Sequence, residues 1–261
     1  MVSTSLILGA TRGPRESVTA SEDVLIVAAG LVVALSALVQ GAVGYGMALV
    51  AAPLLALVDP SLVPVPLILL TSGHAVLAVV RDGRHADWSG IGWAMLGRLP
   101  GTGLGVLAVV ALSQRFFSLL VGLSVLACVV LSLLTWRPRP RPISLVLAGL
   151  ASGAGGTAAS IGGPPIALLY QDAAGPRVRG TIGGYFVLGS VTSIIALAAA
   201  GQVTGESMAS AVLLTPFLLV GFALSGPARL VLDNGWTRRA VLAVSAASGA
   251  LLIGRVLLPS G

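Results

Sequence analysis

Gln40-Gly41-Ala42-Val43-Gly44-Tyr45-Gly46-Met47, followed by Pro53, lies in the middle of residues 24–58, a run of 35 residues without a charge. Ser152-Gly153-Ala154-Gly155-Gly156-Thr157-Ala158-Ala159-Ser160-Ile161-Gly162-Gly163-Pro164-Pro165 lies within a second such run, residues 143–171, which is 29 residues long. A helix needs about 20 apolar residues to cross the hydrocarbon core of a bilayer. Each run is therefore too long for one upright crossing and short for two. The central glycines give the chain a place to leave the helix. The expectation is two helix–break–helix hairpins whose turns lie at membrane depth, where irregular backbone survives only if protein lines it. Length alone does not decide whether each hairpin is re-entrant or crosses fully.

The rest of the chain agrees with a membrane setting. Hydrophobic residues make up 56% and charged residues 9%, with a mean hydropathy of +1.01. Soluble domains carry about 25% charge, so this chain cannot cover a water-facing surface. Further apolar runs occupy 62–80, 88–113 and 116–135, then 180–201, 207–227 and 240–258. The expected organisation is a polar tail over 1–23 and a membrane repeat over 24–135. A basic linker, Trp136-Arg137-Pro138-Arg139-Pro140-Arg141-Pro142, leads into a second repeat over 143–258. Glu22 and Asp23 directly precede the first apolar run, where a signal peptide carries net positive charge, so that segment is expected to be retained. A single cysteine, Cys128, implies no disulfide framework or metal cluster, and no cofactor is expected.

The two halves match at an offset of 112, which places Gly41 on Gly153, Gly44 on Gly156, Pro53 on Pro165 and Pro64 on Pro176. Hairpins that return to their own side leave three crossings in each half, so the second half enters upside down relative to the first. On that topology one face collects Arg81, Arg84, Arg137, Arg139, Arg141, Arg177, Arg179, Arg229, Arg238 and Arg239, and the other collects Arg12, Arg15 and Arg115: ten against three. Treating each long run as one crossing gives seven against six, with no bias. Arginine gathers in cytoplasmic loops. The expected fold is thus an all-α polytopic membrane protein of two inverted-topology repeats. Each repeat starts with a glycine-broken hairpin followed by three transmembrane helices. The expected location is the cell (inner) membrane, with both termini extracytoplasmic. The net charge of +6 is read as orientation, so no nucleic-acid partner is implied.

No Asp or Glu lies within any apolar run, so carboxylate proton relays and cation sites are absent from them. The embedded polar groups are mostly donors, which suits a small anion. Helices that restart inside the membrane offer free N–H groups and a positive dipole end. Candidate binding residues are Gln40, Gly41, Gly44, Tyr45 and Gly46 at the first break. At the second they are Ser152, Gly153, Gly156, Thr157, Ser160, Gly162, Gly163 and Pro164. The alternative for the glycines is close helix packing, and Gly97, Gly101 and Gly105 are read that way. His74 and Arg98 lie inside apolar runs and are candidates for anion or proton coupling; the alternatives are a packed neutral imidazole and a snorkelling arginine. Arg255, near the chain end, is read as snorkelling.

Residues 41–55 and 149–170 resemble the two signature segments of the sulfite exporter TauE/SafE family, in which a glycine-rich segment followed by proline occurs once per half. Here the second ends in Gly162-Gly163-Pro164-Pro165. Met47 departs from the family, which commonly has a further glycine there. The resemblance implies secondary transport of small sulfur-containing anions such as sulfite, sulfonates or sulfoacetate; the candidate coupling ion, the proton, rests on His74. Self-association is left open. The competing readings are an anion channel of the same fold and an intramembrane serine enzyme using Ser152 or Ser225. The enzyme reading lacks a histidine following either serine.

Overall fold

The computed structural model describes residues 14–43, 46–133, 138–231 and 234–258, and among them the chain forms ten α-helices and two short 3-10 turns. The first half holds α1 (Pro14–Val43), α2 (Met47–Val58), α3 (Val65–Asp82), α4 (Trp88–Ala111) and α5 (Gln114–Leu133). The second holds α6 (Pro142–Ala159), α7 (Gly163–Tyr170), α8 (Gly175–Ala199), α9 (Gly205–Val231) and α10 (Asn234–Leu257). Eight of these are long and apolar enough to cross a membrane, so the protein is a multi-pass membrane protein. Helix α1 begins at Pro14, inside the stretch expected to be a tail.

Helices α2 and α7 are the exceptions. Their 12 and 8 residues reach about 18 and 12 Å at 1.5 Å per residue, against a core of about 30 Å. Neither can cross. Each returns toward the end from which its partner helix came. Val58 closes α2 beside Leu25 and Ile26 of α1, and Leu169 and Tyr170 close α7 in one cluster with Leu145 of α6. Arg255 donates to the carbonyl of Leu57 at 3.2 Å, placing a cation at the negative end of α2.

The first break falls where the glycines are. Helix α1 stops at Val43 and α2 restarts at Met47, with Gly46 at φ 111° and ψ 0°. The second break does not fall there, and this corrects the expectation for Gly153 and Gly156. Helix α6 runs unbroken through both and through Thr157, ending at Ala159, with Ser160 left-handed at φ 62°. A glycine inside a helix costs only about 1 kcal/mol relative to alanine. The prolines forbid continuation, because their rings strike the carbonyls four residues back, here those of Ser160 and Ile161. The second turn therefore comes one helical turn later than the offset of 112 implies, at Ser160-Ile161-Gly162.

Most of the other glycines hold the bundle. Helix α4 runs parallel to α6: Gly97 faces the Val146 carbonyl, Gly101 that of Leu150, Gly149 that of Ala94 and Gly153 that of Arg98, with no room for a Cβ. Helix α1 lies against α9 in the same parallel manner, with Gly221 on the Ala34 carbonyl and Gly41 on the Ser225 side chain. Lipid tails are as apolar as leucine, so close approach is what drives helix association in a membrane. Helix α3 is antiparallel to α8, with Gly180 against the Asp82 carbonyl at one end and Leu197 against Val65 and Ile68 at the other. Helices α5 and α10 meet through Gly122 and Gly249.

Asp87 ties the end of the molecule where these elements converge. Its Oδ1 accepts from the Gly90 N–H at 2.9 Å, capping α4. Its Oδ2 accepts from the Tyr170 hydroxyl and from Arg177, both at 3.1 Å. Burial works against its charge, but the Gly90 N–H, the Arg177 guanidinium and the Tyr170 hydroxyl outweigh it and hold the carboxyl below the usual carboxylate range.

Two predictions test this packing. Gly149→Val forces a side chain into the Ala94 carbonyl; overpacking of this kind costs about 1–3 kcal/mol or more, and the protein should lose its monodisperse peak on size-exclusion chromatography. Gly103→Val, on the open face of α4 with nothing within 4 Å, should leave that peak unchanged. Asp87 should make the fold acid-labile. A carboxyl depressed in the folded state stabilises above its unfolded value, about pH 4, and that stability is lost as pH falls through the folded value. Asp87→Asn should lower the melting temperature at neutral pH and flatten its fall in acid.

Candidate functional site

One cavity of about 80 Å³ receives both breaks. Gly46, Ala48 and Leu49 line it from the start of α2, and Ser160, Ile161, Gly163 and Pro164 from the start of α7. It extends along α3 and α8 to the end of the molecule that carries Arg81, Asp82 and Arg179. Asp82 accepts from Arg179 Nε at 2.7 Å, so an ion pair between the two halves stands at that mouth. Phe186 and Phe222 form apolar wall. His74 is buried in this lining, eight residues before Asp82, or about 12 Å along the helix axis.

The two breaks offer different donors. The first intrahelical bond of α2 runs from Val50 N to the Gly46 carbonyl at 3.2 Å, so the Met47, Ala48 and Leu49 N–H groups have no acceptor within the helix. Glycine as N-cap supplies no side chain. Gln40 takes that place from the neighbouring helix: its Oε1 accepts from Met47 N at 2.9 Å. Its Nε2 lies 2.8 Å from His74 Nδ1, and the His74 ring meets Phe222 edge-on at 5.2 Å. At the second break Pro164 and Pro165 have no N–H, so α7 contributes a dipole end with few amide donors. Ser160 Oγ donates to the Pro64 carbonyl at 3.1 Å, stitching the second break to the start of α3.

Arg98 is 2% exposed and does not snorkel. It lies behind the second break and is not part of the cavity wall. Its Nη atoms donate to Ser152 Oγ and Ser193 Oγ, each at 3.3 Å, and its guanidinium lies 4.9 Å from the Tyr185 ring centroid. Ser152 Oγ in turn donates to the Gly162 carbonyl at 2.6 Å, and Thr157 Oγ1 pairs with Ser193 Oγ at 2.8 Å. Arg98 Nε has no hydrogen-bond partner among the described residues. The guanidinium thus reaches the turn through Ser152, which donates to the Gly162 carbonyl.

The expected binding residues therefore divide. Gln40, Gly41, Gly46, His74, Ser160, Gly163 and Pro164 meet at the cavity. Ser152, Gly153, Gly156, Thr157 and Gly162 do not line it: they hold α4 and Arg98 behind the turn. Gly44 and Tyr45 lie outside the described residues. Ser225, the other serine considered for hydrolysis, donates to the Phe222 carbonyl of its own helix. Sequence reasoning missed Thr71, Phe222 and the Asp82–Arg179 pair. Thr71 was recoverable, because it lies one turn before His74 on the same helix face. Phe222 and Arg179 come from helices whose rotation no local pattern sets.

Neither the curated proteins nor the solved structures yielded a match to this chain. A family model described as sulfite exporter TauE/SafE matches residues 27–252. That span takes in both breaks, the cavity and the helices that build it, and the chain belongs to the sulfite exporter TauE/SafE family of membrane permeases.

Proposed function

We propose that the protein is a secondary transporter of small sulfur-containing anions, such as sulfite, a sulfonate or sulfoacetate, working by alternating access across the inner membrane. The observation that carries this reading is the convergence of the α2 and α7 starts on one cavity beside His74. Two positive helix ends and amide donors in an apolar setting favour a negative solute. Arg98 supplies the fixed charge in this scheme. A cation without a carboxylate is costly inside a bilayer, about 2.5–3.5 kcal/mol even on insertion scales, and its field favours anion entry. The packing partners support a pair of inverted repeats, residues 24–135 and 143–258. Exchanging the halves turns the α4–α6 pair into α9–α1 and maps α3–α8 and α5–α10 onto themselves. The arginine count supports placing the cavity mouth in the cytoplasm and both termini outside.

The test is sulfite flux into liposomes containing the purified protein. A transporter gives flux that saturates and accumulates sulfite against a gradient when a counter-ion gradient is imposed; a channel of the same fold only dissipates it. Gly46→Ala should cut the rate about tenfold, since the left-handed backbone there costs a side chain about 1–2 kcal/mol, while the space around it is open, with Val241 3.7 Å away. Arg98→Gln should lower sulfite flux tenfold or more, with Arg98→Lys recovering part of it. Undiminished flux in both Gly46→Ala and Arg98→Gln would remove the cavity from the transport path. Valine at Gly41 or Gly153 would strike Ser225 or the Arg98 backbone and so reports on packing alone.

A further inference from the structure

Gln40 holds two opposed contacts, and together they fix the state of His74. The Met47 N–H can only donate, so the end of Gln40 facing it at 2.9 Å is the oxygen. The end facing His74 Nδ1 at 2.8 Å is then the amino group, which also only donates. Nδ1 is therefore the acceptor, and this ring is neutral with its hydrogen on Nε2.

We propose that protonation of His74 releases the Gln40 cap from α2, so that one proton and one anion are taken up together at the first break. The inference rests on the transport reading and names its coupling ion. A proton on Nδ1 would set two N–H donors face to face. Relief requires Gln40 to turn over, offering Oε1 to the imidazolium and its amino group to Met47, or to swing away. In either case the Met47 N–H loses its acceptor. The imidazolium and the Ala48 residue line the cavity, and the freed Met47 N–H lies next to them in the chain, so the three donors are clustered at the first break. An oxyanion satisfies them. Coupling is reciprocal: the anion favours the proton by the same factor that the proton favours the anion. Release reverses the step, returning the ring to neutral and Gln40 to Met47. Charge balances, since one proton arrives at Nδ1 with one negative charge at the break.

Among the described residues the charged groups on this cavity are Arg81, Asp82 and Arg179, toward the mouth, with Asp82 and Arg179 paired to each other. Helix α1 brings Gln40 and Gly41, α2 brings Ala48 and Leu49, α7 brings Gly163 and Pro164, and α9 brings Phe222; none of these lining residues is charged. Gln40 is accordingly a positioning residue and His74 the proton carrier.

The direct test is 15N-histidine NMR of the full chain in nanodiscs. There are two histidines, and His85→Gln assigns the exposed one. At about pH 8, where an ordinary imidazole is neutral, His74 should carry its hydrogen on Nε2 with Nδ1 bare. Adding sulfite at fixed mildly acidic pH should raise the protonated fraction of His74. An Nδ1–H tautomer, or a protonation state blind to sulfite, overturns the relay, and this measurement needs no variant of the site. The second arm is sulfite flux at several pH values for wild type, His74→Gln, Gln40→Met and the double variant. Ratios to wild type cancel the titration of sulfite itself. The acid-to-alkaline flux ratio should fall about fivefold or more in each single variant, the low end of typical coupling, and no further in the double variant. A His74→Gln profile parallel to wild type overturns the coupling and leaves the transport reading standing. Absence of sulfite flux in wild type at every pH overturns both.

Discussion

A helix that ends inside a bilayer leaves amide hydrogens that lipid cannot satisfy. Each unsatisfied group costs several kcal/mol in hydrocarbon, so a break at that depth persists only where other parts of the protein supply acceptors or a polar cavity. Here α2 starts with glycine as its N-cap, which brings no side chain of its own. The acceptor comes instead from Gln40, one helix earlier, and the same amide reaches on to His74. A local backbone problem thus draws a titratable group from α3 into the structure of the break. The chemistry of the cavity follows from that solution.

The second break solves the problem differently. Prolines at 164 and 165 remove the donors rather than satisfy them. The Gly162 carbonyl at the same turn is bound by Ser152, which is itself bound by Arg98. One break is therefore lined by an amide and an imidazole, of which the imidazole is titratable, and the other is backed by a permanent charge. The halves resemble each other in order and packing, yet the cavity between them is chemically lopsided. In the transport cycle proposed above, anion selectivity and proton coupling would rest on separate residues.

Arg98 also shows how a membrane interior accommodates a cation that has no carboxylate partner among the described residues. Gly156 and Gly189 leave the space the guanidinium occupies, two serine hydroxyls accept from it and the Tyr185 face lies beside it. The final turn of α6 adds the negative end of a helix dipole. Gly156, which looks like a hinge in the sequence, is here part of the wall of a cation pocket.

Much of this was legible in the one-dimensional pattern. The lengths of 24–58 and 143–171 foretold two hairpins, because crossing length is a property of a single segment. Glycines mark the break between Val43 and Met47, whereas they misplace the turn at 160–162. Glycine density suggested Gly156, while the deciding residues were two prolines acting on carbonyls four residues back. Gln40 was singled out as an anion donor, and it serves as a cap. By itself the sequence determined the membrane environment, the two returns, the three apolar crossings that follow each of them and the lack of carboxylates within the apolar runs, since all of these depend on composition and local spacing. Only the tertiary structure decided which polar groups meet. That outcome depends on the rotation and register of each helix, set by glycines such as Gly97, Gly149 and Gly221 against carbonyls of a distant segment.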